Sequence, residues 1–332
     1  MAKRGIAKVQ HYVPQFLLRN FSHGKKDHVH VFDKRTRKSF PTNVKNIASE
    51  SRFYDFELEG HKLTVEPSLS SIEAKVKPLL QRLLDLDNLS ALSVNDRDLL
   101  SAFFSIQLAR TRYFREQWRS LPEMLGQKLR AMTENEGQLK NVEEYMRVPD
   151  ENETKAETIK FMMSAPKDFA VHFARKTWVL LKTEKKTPFV IGDNPLALQN
   201  MNDMGPRGNL GLAVPGIEIY FPLSPTRALG LWCQSHEELI RKGVQKLRSL
   251  SQAVPNLVAA IISDPPRIEQ TLIAIESGCP LLYGRENVVN FNSLQVHYSE
   301  RFVFSCSDNF DLVLEMLSDH PELEAGPRVQ MN

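Results

Sequence analysis

The first residue whose type and position suggest a catalytic or binding role is a histidine near the start of the chain. His11 comes just before Pro14, and proline favours the first position of a helix, so we expect the imidazole beside exposed backbone N–H groups. An imidazole there could act as a general acid or base, ligate a metal or contact an anion. Gln15 belongs to the same motif. A local cap or a packing role is the plainer interpretation.

A second signal is the run Gly192-Asp193-Asn194-Pro195, which ends an apolar stretch typical of a strand. Strand ends and the loops after them often present polar side chains to a cleft. Asp193 could ligate a metal or orient His11, and Asn194 could donate a hydrogen bond to a substrate oxygen. The same residues also suit a plain turn, because the residue before a proline is held extended.

The third signal is a set of polar residues on otherwise apolar helix faces. Glu66 and Glu73 are two turns apart, so both carboxylates point the same way. Gln107 and Arg110 share one side of the next helix. An arginine on an apolar face needs an anionic partner, and a glutamate of the preceding helix would provide one. One alternative is that this buried pair of arginine and glutamate has a structural role only. Another is that Glu73 pairs with Lys77 on its own helix.

Three histidines in the N-terminal region form a weaker pattern. His28 and His30 alternate along a strand and so point to one face, and His23 is near in sequence. A metal site is one interpretation, but no carboxylate or cysteine has matching spacing. An exposed hairpin face is the interpretation that we favour.

The elements that position these residues follow from the spacing of apolar side chains. Residues 28–33 alternate with period two and predict a strand, which a turn at 34–38 joins to a second strand. Residues 52–66 predict another hairpin. From Glu66 the period becomes helical, and Ser93 is the expected N-cap of a long helix that ends near Trp118.

The second half of the chain predicts several strands and fewer helices. The strands are expected at 177–183, 189–193, 217–225, 227–233 and 301–305, and the helices near 286–299 and 308–317. Helices and strands in this mixed order predict an α+β fold, with an N-terminal hairpin region and a mixed, mostly antiparallel sheet in the second half. We expect one domain over residues 1–332, with residues 133–157 as a helical insertion or mobile connection.

Bulk composition and missing motifs exclude several classes. The chain has 332 residues, 42% hydrophobic and 25% charged, which is typical of a globular protein. No apolar run reaches the roughly 18–20 residues that cross a bilayer, and no secretory signal is present. Three scattered cysteines argue against a disulfide framework, so we expect a cytoplasmic protein. Neither GxGxxG after a strand nor GxxxxGK[ST] occurs, which excludes those nucleotide loops.

Charge is distributed unevenly along the chain. Residues 1–45 contain eleven Lys or Arg and two Asp, whereas the remainder has 32 basic and 38 acidic residues. This basic segment predicts an anionic partner such as nucleic acid. A solvated hairpin with basic turns explains the same pattern.

In combination, these segments resemble an uncharacterised bacterial family catalogued as domain of unknown function 4238. The resemblance spans about residues 10–306. Its motifs are HYVPQFLLRNF (11–21), RFYDF (52–56), VEPSLSSIE (65–73), QLARTRYFR (107–115), VIGDNPL (190–196), IYFPLSP (219–225) and NFNSLQVHYSERFVFS (290–305). One departure is Gly192, where the family pattern leads us to expect a serine. The resemblance implies no reaction.

The resemblance groups the candidate residues into one site. They are His11, Gln15, Glu73, Arg110, Asp193 and Asn194. Our leading prediction is a hydrolase of nucleic acid or another phosphate ester. Its acid and base, or its ligands for a divalent metal such as Mg²⁺ or Mn²⁺, would be Asp193 with Glu73 or His11. Arg110 would neutralise phosphate.

The alternative prediction is a non-catalytic module that binds nucleic acid or protein. The same polar groups would then form a buried structural network. The sequence leaves the substrate and the oligomeric state open.

Overall fold

The computed structural model of the chain describes residues 8–24, 26–58, 60–132, 147, 149–202, 210–253 and 265–328. Within these ranges helices and mostly antiparallel sheets follow one another in mixed order, which confirms the α+β class. None of the described helices is long and apolar enough to span a membrane.

Helices lie where the sequence predicts them near residues 15–19, 66–86, 285–298 and 311–319, whereas the helices at 234–253 and 265–277 were not predicted. Their bounds are α1 (Gln15–Arg19), α2 (Glu66–Leu86), α3 (Val94–Ala109), α4 (Arg112–Met132), α5 (Glu151–Ala174), α6 (Gln234–Ala253), α7 (Pro265–Ser277), α8 (Arg285–Tyr298) and α9 (Asp311–Asp319). At the start of α3 the hydroxyl of Ser93 accepts from the backbone N–H of Asp96 at 3.2 Å, and the Asp96 carboxylate accepts from the backbone N–H of Ser93 at 2.9 Å. This reciprocal capping confirms the predicted N-terminus.

The strands are short, and most lie where period-two alternation predicts them. Their bounds are β1 (Val9–His11), β2 (His28–Asp33), β3 (Lys38–Asn43), β4 (Ser49–Ser51), β5 (Asp55–Leu58), β6 (His61–Thr64), β7 (Thr177–Lys182), β8 (Ile191–Gly192), β9 (Ala197–Gln199), β10 (Glu218–Ser224), β11 (Arg227–Trp232), β12 (Leu281–Leu282) and β13 (Phe302–Ser305). The two predicted N-terminal hairpins are β2–β3 and β5–β6.

Two larger sheets organise the described part of the chain. One has the order β12-β7-β11-β10-β9, and only its β12–β7 pair is parallel. The other has the order β3-β2-β13-β8 and is antiparallel throughout. The N-terminal hairpin therefore shares a sheet with strands from the second half, which the sequence patterns did not indicate.

The long helix predicted from Ser93 to Trp118 is wrong in one respect, because it is two helices. The chain bends at Arg110 and Thr111, between α3 and α4. The Thr111 hydroxyl accepts from the backbone N–H of Phe114 at 3.2 Å and so caps the start of α4. The break turns Arg110 into the C-cap of α3, where its side chain enters the interior.

The polar segment 133–157 is only partly described. Residues 133–146 lie outside the described residues, so the insertion predicted there is untested. Residues 151–157 form the first turns of α5, and Asp150 caps this helix by accepting from the backbone N–H of Glu153 at 2.9 Å. This last part of the segment is therefore helical.

An aromatic core fixes α3 between α5 and the five-stranded sheet. The ring of Phe104 on α3 lies with its centroid 5.0 Å from Phe221, and 5.8 Å from both Phe173 and Trp178. Rings at these separations pack favourably in addition to the area that they bury. The end of α3, and with it Arg110, is held on a rigid element.

Candidate functional site

Arg110 is the centre of the first polar cluster, and its side chain is only 2% exposed. Its Nη1 lies 2.8 Å from Glu73 Oε1, its Nη2 donates to the carbonyl of His11 at 2.7 Å, and its Nε donates to the Tyr54 hydroxyl at 3.1 Å. The predicted ion pair between Glu73 and Arg110 is therefore present. Each of its nitrogens has a protein partner, so Arg110 positions other groups, and its contact with a phosphate stays a prediction.

Tyr54 completes this cluster, although sequence patterns did not identify it. Its hydroxyl donates to the carbonyl of His11 at 3.1 Å. Burial raises the pKa of Tyr54, which keeps the phenol protonated for that bond. The two hydrogen bonds, from Tyr54 and Arg110, fix the backbone that carries the imidazole of His11.

The imidazole of His11 has a partner at each ring nitrogen. Nε2 lies 3.2 Å from the carbonyl oxygen of Lys45, and Nδ1 lies 3.3 Å from Nε2 of Gln15. A carbonyl can only accept, so His11 Nε2 carries the proton and Nδ1 accepts from the Gln15 amide. Burial lowers the pKa of His11, which favours this neutral form near pH 7. Gln15 in turn accepts from Arg19 Nη2 at 2.9 Å.

Glu66 and Glu73 present two carboxylates in unlike surroundings on one face of α2. Burial raises the pKa of Glu66, and the charges of Glu73 and Asp55 add to that rise against the opposing charge of Arg110. Glu73 is paired directly with Arg110 and is 25% exposed. A carboxyl whose pKa is raised, on the same helix face as a carboxylate paired with arginine, is an arrangement that acid–base catalysis uses.

Asp193 lies in a second polar cluster, 1% exposed, where it caps a tight turn of backbone. Its Oδ1 accepts from the N–H of Glu300 at 2.6 Å, and its Oδ2 accepts from Arg301 at 2.9 Å and Phe302 at 3.0 Å. Three backbone donors on one carboxylate satisfy the start of β13. This geometry is that of a structural aspartate.

The glycine before Asp193 has a steric explanation. A Cβ at Gly192 would lie 2.8 Å from the carbonyl oxygen of Gln295 and 3.1 Å from the Cβ of Ser299. Strand β8 therefore approaches α8 too closely for a serine without a shift of backbone. This close packing explains a glycine at position 192, where the family pattern leads us to expect a serine.

Lys34 is fully buried beside the Asp193 cluster, and the sequence analysis missed it. Its Nζ donates to the carbonyls of Val296 at 2.9 Å and Ser299 at 2.6 Å. Burial lowers the pKa of Lys34 to about 8, against the charges of Asp193 and Glu300. Burial likewise raises the pKa of Asp193 to about 6, against its backbone bonds and Lys34.

Two buried amides show incomplete hydrogen bonding. Asn194 donates to the carbonyl of Tyr298 at 3.3 Å, and Gln107 donates to the carbonyl of Tyr12 at 3.1 Å. In both, the amide oxygen is buried without a hydrogen-bond partner in the structure. The predicted side-by-side placement of Gln107 and Arg110 holds, whereas the side chain of Asn194 is buried against the end of α8.

The six predicted site residues divide into these two clusters. His11, Gln15, Glu73 and Arg110 are linked, whereas no hydrogen bond or ion pair in the described residues joins them to Asp193 or Asn194. The described part of the chain also contains no group of three His, Cys, Asp or Glu side chains that could hold a metal ion. The three metal candidates, His11, Glu73 and Asp193, are therefore not brought together.

Three arginines of the N-terminal segment form ion pairs within the described part of the chain. Arg19 pairs with Asp27 at 3.0 Å, Arg35 with Glu300 at 3.1 Å and Arg37 with Glu324 at 3.2 Å. Lys45 is exposed and forms no ion pair among the described residues. Arg35 and Arg37 of the hairpin tip are thus paired with residues of the C-terminal region, and binding of an anionic partner by the segment stays a prediction.

The three histidines of the N-terminal region are partly stacked. The rings of His23 and His30 lie 4.1 Å apart between centroids, and His28 is 6.5 Å from His23. Burial lowers the pKa of His30, with a further lowering from the charge of His23. Ring stacking of His23 on His30 accounts for the close approach of the histidines on this face of the hairpin.

The fold and the site together define an α+β protein with two separate polar clusters, one around Arg110 and one around Asp193. A model of the family described as "Protein of unknown function (DUF4238)" matches residues 9–309, and the chain belongs to this family. No curated protein and no solved structure matches the chain.

Proposed function

We propose that the chain is a hydrolase whose base and acid are the carboxylates of Glu73 and Glu66. The observation that supports this proposal is the pairing of Glu73 with buried Arg110 beside a Glu66 whose pKa is raised by burial. Carboxyl groups whose pKa is shifted by burial beside specific charged partners are enriched at active sites. Sequence spacing pointed to both glutamates, although only Glu73 was among the six predicted site residues.

The proposed step uses each carboxylate once. One oxygen of Glu73 is paired with Arg110, and the side chain is partly exposed, so the other oxygen can accept a proton from a water molecule as that water attacks. The leaving oxygen takes the proton that Glu66 holds. Arg110 holds the carboxylate of Glu73 in place and, through the carbonyl of His11, fixes the backbone that carries the imidazole.

A phosphate ester is the substrate class that the surroundings of His11 favour. Lys45, whose carbonyl contacts the imidazole, has an exposed ammonium group without an ion pair among the described residues. A lysine in this place can hold a phosphate as a point charge. Use of a divalent metal stays a prediction, and so does binding of nucleic acid.

The test is turnover of bis(p-nitrophenyl) phosphate and of labelled RNA and DNA, each with EDTA, Mg²⁺ or Mn²⁺. We expect Glu73→Gln and Glu66→Gln each to lower turnover at least ~100-fold, the usual size of an acid–base contribution. At position 73 glutamine keeps an oxygen for Arg110 but removes the charge, so turnover is compared at a temperature where circular dichroism shows each variant to be folded. Glu238→Gln, on the exposed face of α6, is the matched control.

Two results would contradict the proposal. One is absence of turnover of all three substrates by the parent protein. The other is equal turnover by the parent and by both glutamine variants.

The second candidate function is the non-catalytic binding module. One observation favours it, since all six predicted site residues form hydrogen bonds or ion pairs within the chain. Loss of stability without loss of turnover in variants of Glu66 and Glu73 would support this candidate over the hydrolase.

A further inference from the structure

A polar cavity of about 380 Å³ lies away from both clusters. It is bounded by the first turn of α3, the end of α5, the start of β7 and the facing parts of α6 and α7. Arg97 and Arg110 stand thirteen residues apart on α3 and its cap, which is roughly 20 Å along a helix axis. The cavity is therefore separate from the proposed hydrolase site and does not depend on it.

The cavity walls hold more positive charge than their own carboxylates can neutralise. The lining acids Glu237 and Glu276 are both paired with Arg241. Three further lining cations, Arg97, Arg175 and Lys176, have no carboxylate partner among the described residues. After the internal pairs are formed, the lining keeps an excess of positive charge.

Arg97 is the cation that ordinary structural roles explain least. It lies in the first turn of α3, where the helix dipole disfavours a positive charge. Among the described residues the only hydrogen bond of its guanidinium, to the carbonyl of Leu89, is 3.5 Å long, and the group stands 5.6 Å over the Trp178 ring. Half-burial lowers the pKa of Arg97. A desolvated guanidinium with most donors unused is stabilised by an anion.

The dipole of α5 explains the positions of the other two cations in part. Arg175 and Lys176 follow the C-terminus of α5, where the helix dipole favours positive charge. That preference places them at the mouth of the cavity but supplies no counter-ion. Half-burial lowers the pKa of Lys176, as expected for an ammonium group without a carboxylate beside it.

We propose that this cavity binds a small, multiply charged anion between Arg97, Arg175 and Lys176. The planar guanidinium of Arg97 would make paired hydrogen bonds to two anion oxygens, and Lys176 would contact a third. The volume and the polar lining suit a diphosphate or a tricarboxylate, both of which combine several oxygens with at least two negative charges.

The test is calorimetric titration of the full chain with pyrophosphate and, in a second arm, with citrate. Saturable binding of either supports the site, and the tighter arm identifies the class of anion. We expect Arg97→Gln to weaken that binding about tenfold or more, as loss of a paired charged contact does. Lys167→Gln, an equal loss of charge on the exposed face of α5, should change the affinity by less than about twofold.

Failure of both anions to bind would overturn the proposal. So would equal weakening by Lys167→Gln and Arg97→Gln, because binding would then follow net charge alone. Should Arg97→Gln lose its folded circular dichroism spectrum, Arg175→Gln and Lys176→Gln provide the same comparison from positions outside α3. Unchanged affinity in both of those variants also counts against the site.

Discussion

At the scale of single residues, Asp193 differs most from its expected role. Its carboxylate accepts three backbone hydrogen bonds at the start of β13 and is closed to solvent. A buried carboxylate with that many donors organises the chain around it. The residue that looked catalytic from its position after a strand has the geometry of a structural cap.

We expect Asp193→Asn to lower the free energy of unfolding by about 3 kcal/mol or more. An amide has one acceptor oxygen, so its NH₂ group would face backbone donors at Arg301 or Phe302, and Lys34 would lose its nearby charge. Urea denaturation measures the change. Asp319→Asn, at an exposed position on α9, should be near neutral.

The opposite result for Asp193→Asn would indicate a catalytic role for Asp193. If Asp193→Asn keeps the stability of the parent while turnover of the phosphate esters disappears, the aspartate acts in chemistry. The structural role would then be wrong.

The sequence predicted some contacts of the site and missed others for physical reasons. The pair of Glu73 with Arg110 was predictable, because a buried arginine requires an anion and the helical spacing offered one. Lys34 was not, since a lysine beside a hairpin turn is usually solvated. Its burial depends on the carbonyls at the end of α8, which no local pattern relates to residue 34.

At the scale of elements, the break between α3 and α4 shapes the candidate site. Residues 107–118 all tolerate a helix, so apolar spacing predicted one continuous element. The bend allows Arg110 to turn inward, and the hydroxyl of Thr111 then begins α4. Tertiary contacts of Arg110 with Tyr54 and His11 compete with the local preference for helix and prevail.

The cap at Thr111 gives a prediction for this element. Thr111→Ala should lower the free energy of unfolding by about 1 kcal/mol, because the backbone N–H of Phe114 loses its acceptor. Thr111→Ser keeps the hydroxyl and should recover most of that loss. Chemical denaturation of the three proteins measures it. An alanine variant as stable as the parent would mean that the hydroxyl does not stabilise the bend.

At the scale of the whole molecule, the charge state of α8 depends on the N-terminal hairpin. Burial lowers the pKa of His297 on α8, and the charge of Lys34 lowers it further. The unfolded chain therefore binds a proton at His297 more readily than the folded chain. Protonation of His297 at low pH therefore favours the unfolded chain. The free energy of unfolding is unaffected by His297 above the ordinary histidine pKa of about 6.5 and decreases as the pH falls below it.

We therefore expect a His297→Gln variant to lose less stability than the parent protein between pH 7 and pH 5. Other groups, Asp193 among them, also titrate in this interval, so the quantity to compare is the difference between the two denaturation series. His320→Gln, at an exposed histidine near the C-terminus, serves as the control. Parallel curves for parent and His297→Gln would rule out this contribution.

The sheet β3-β2-β13-β8 has a consequence for the order in which the molecule is assembled. During synthesis the N-terminal hairpin leaves the ribosome early, yet its edge at β2 acquires a partner only when Phe302–Ser305 have emerged. Contacts between such distant segments form slowly and leave strand edges open meanwhile. Nascent chains that stall before that point have an unpaired β2 edge and require protection from aggregation.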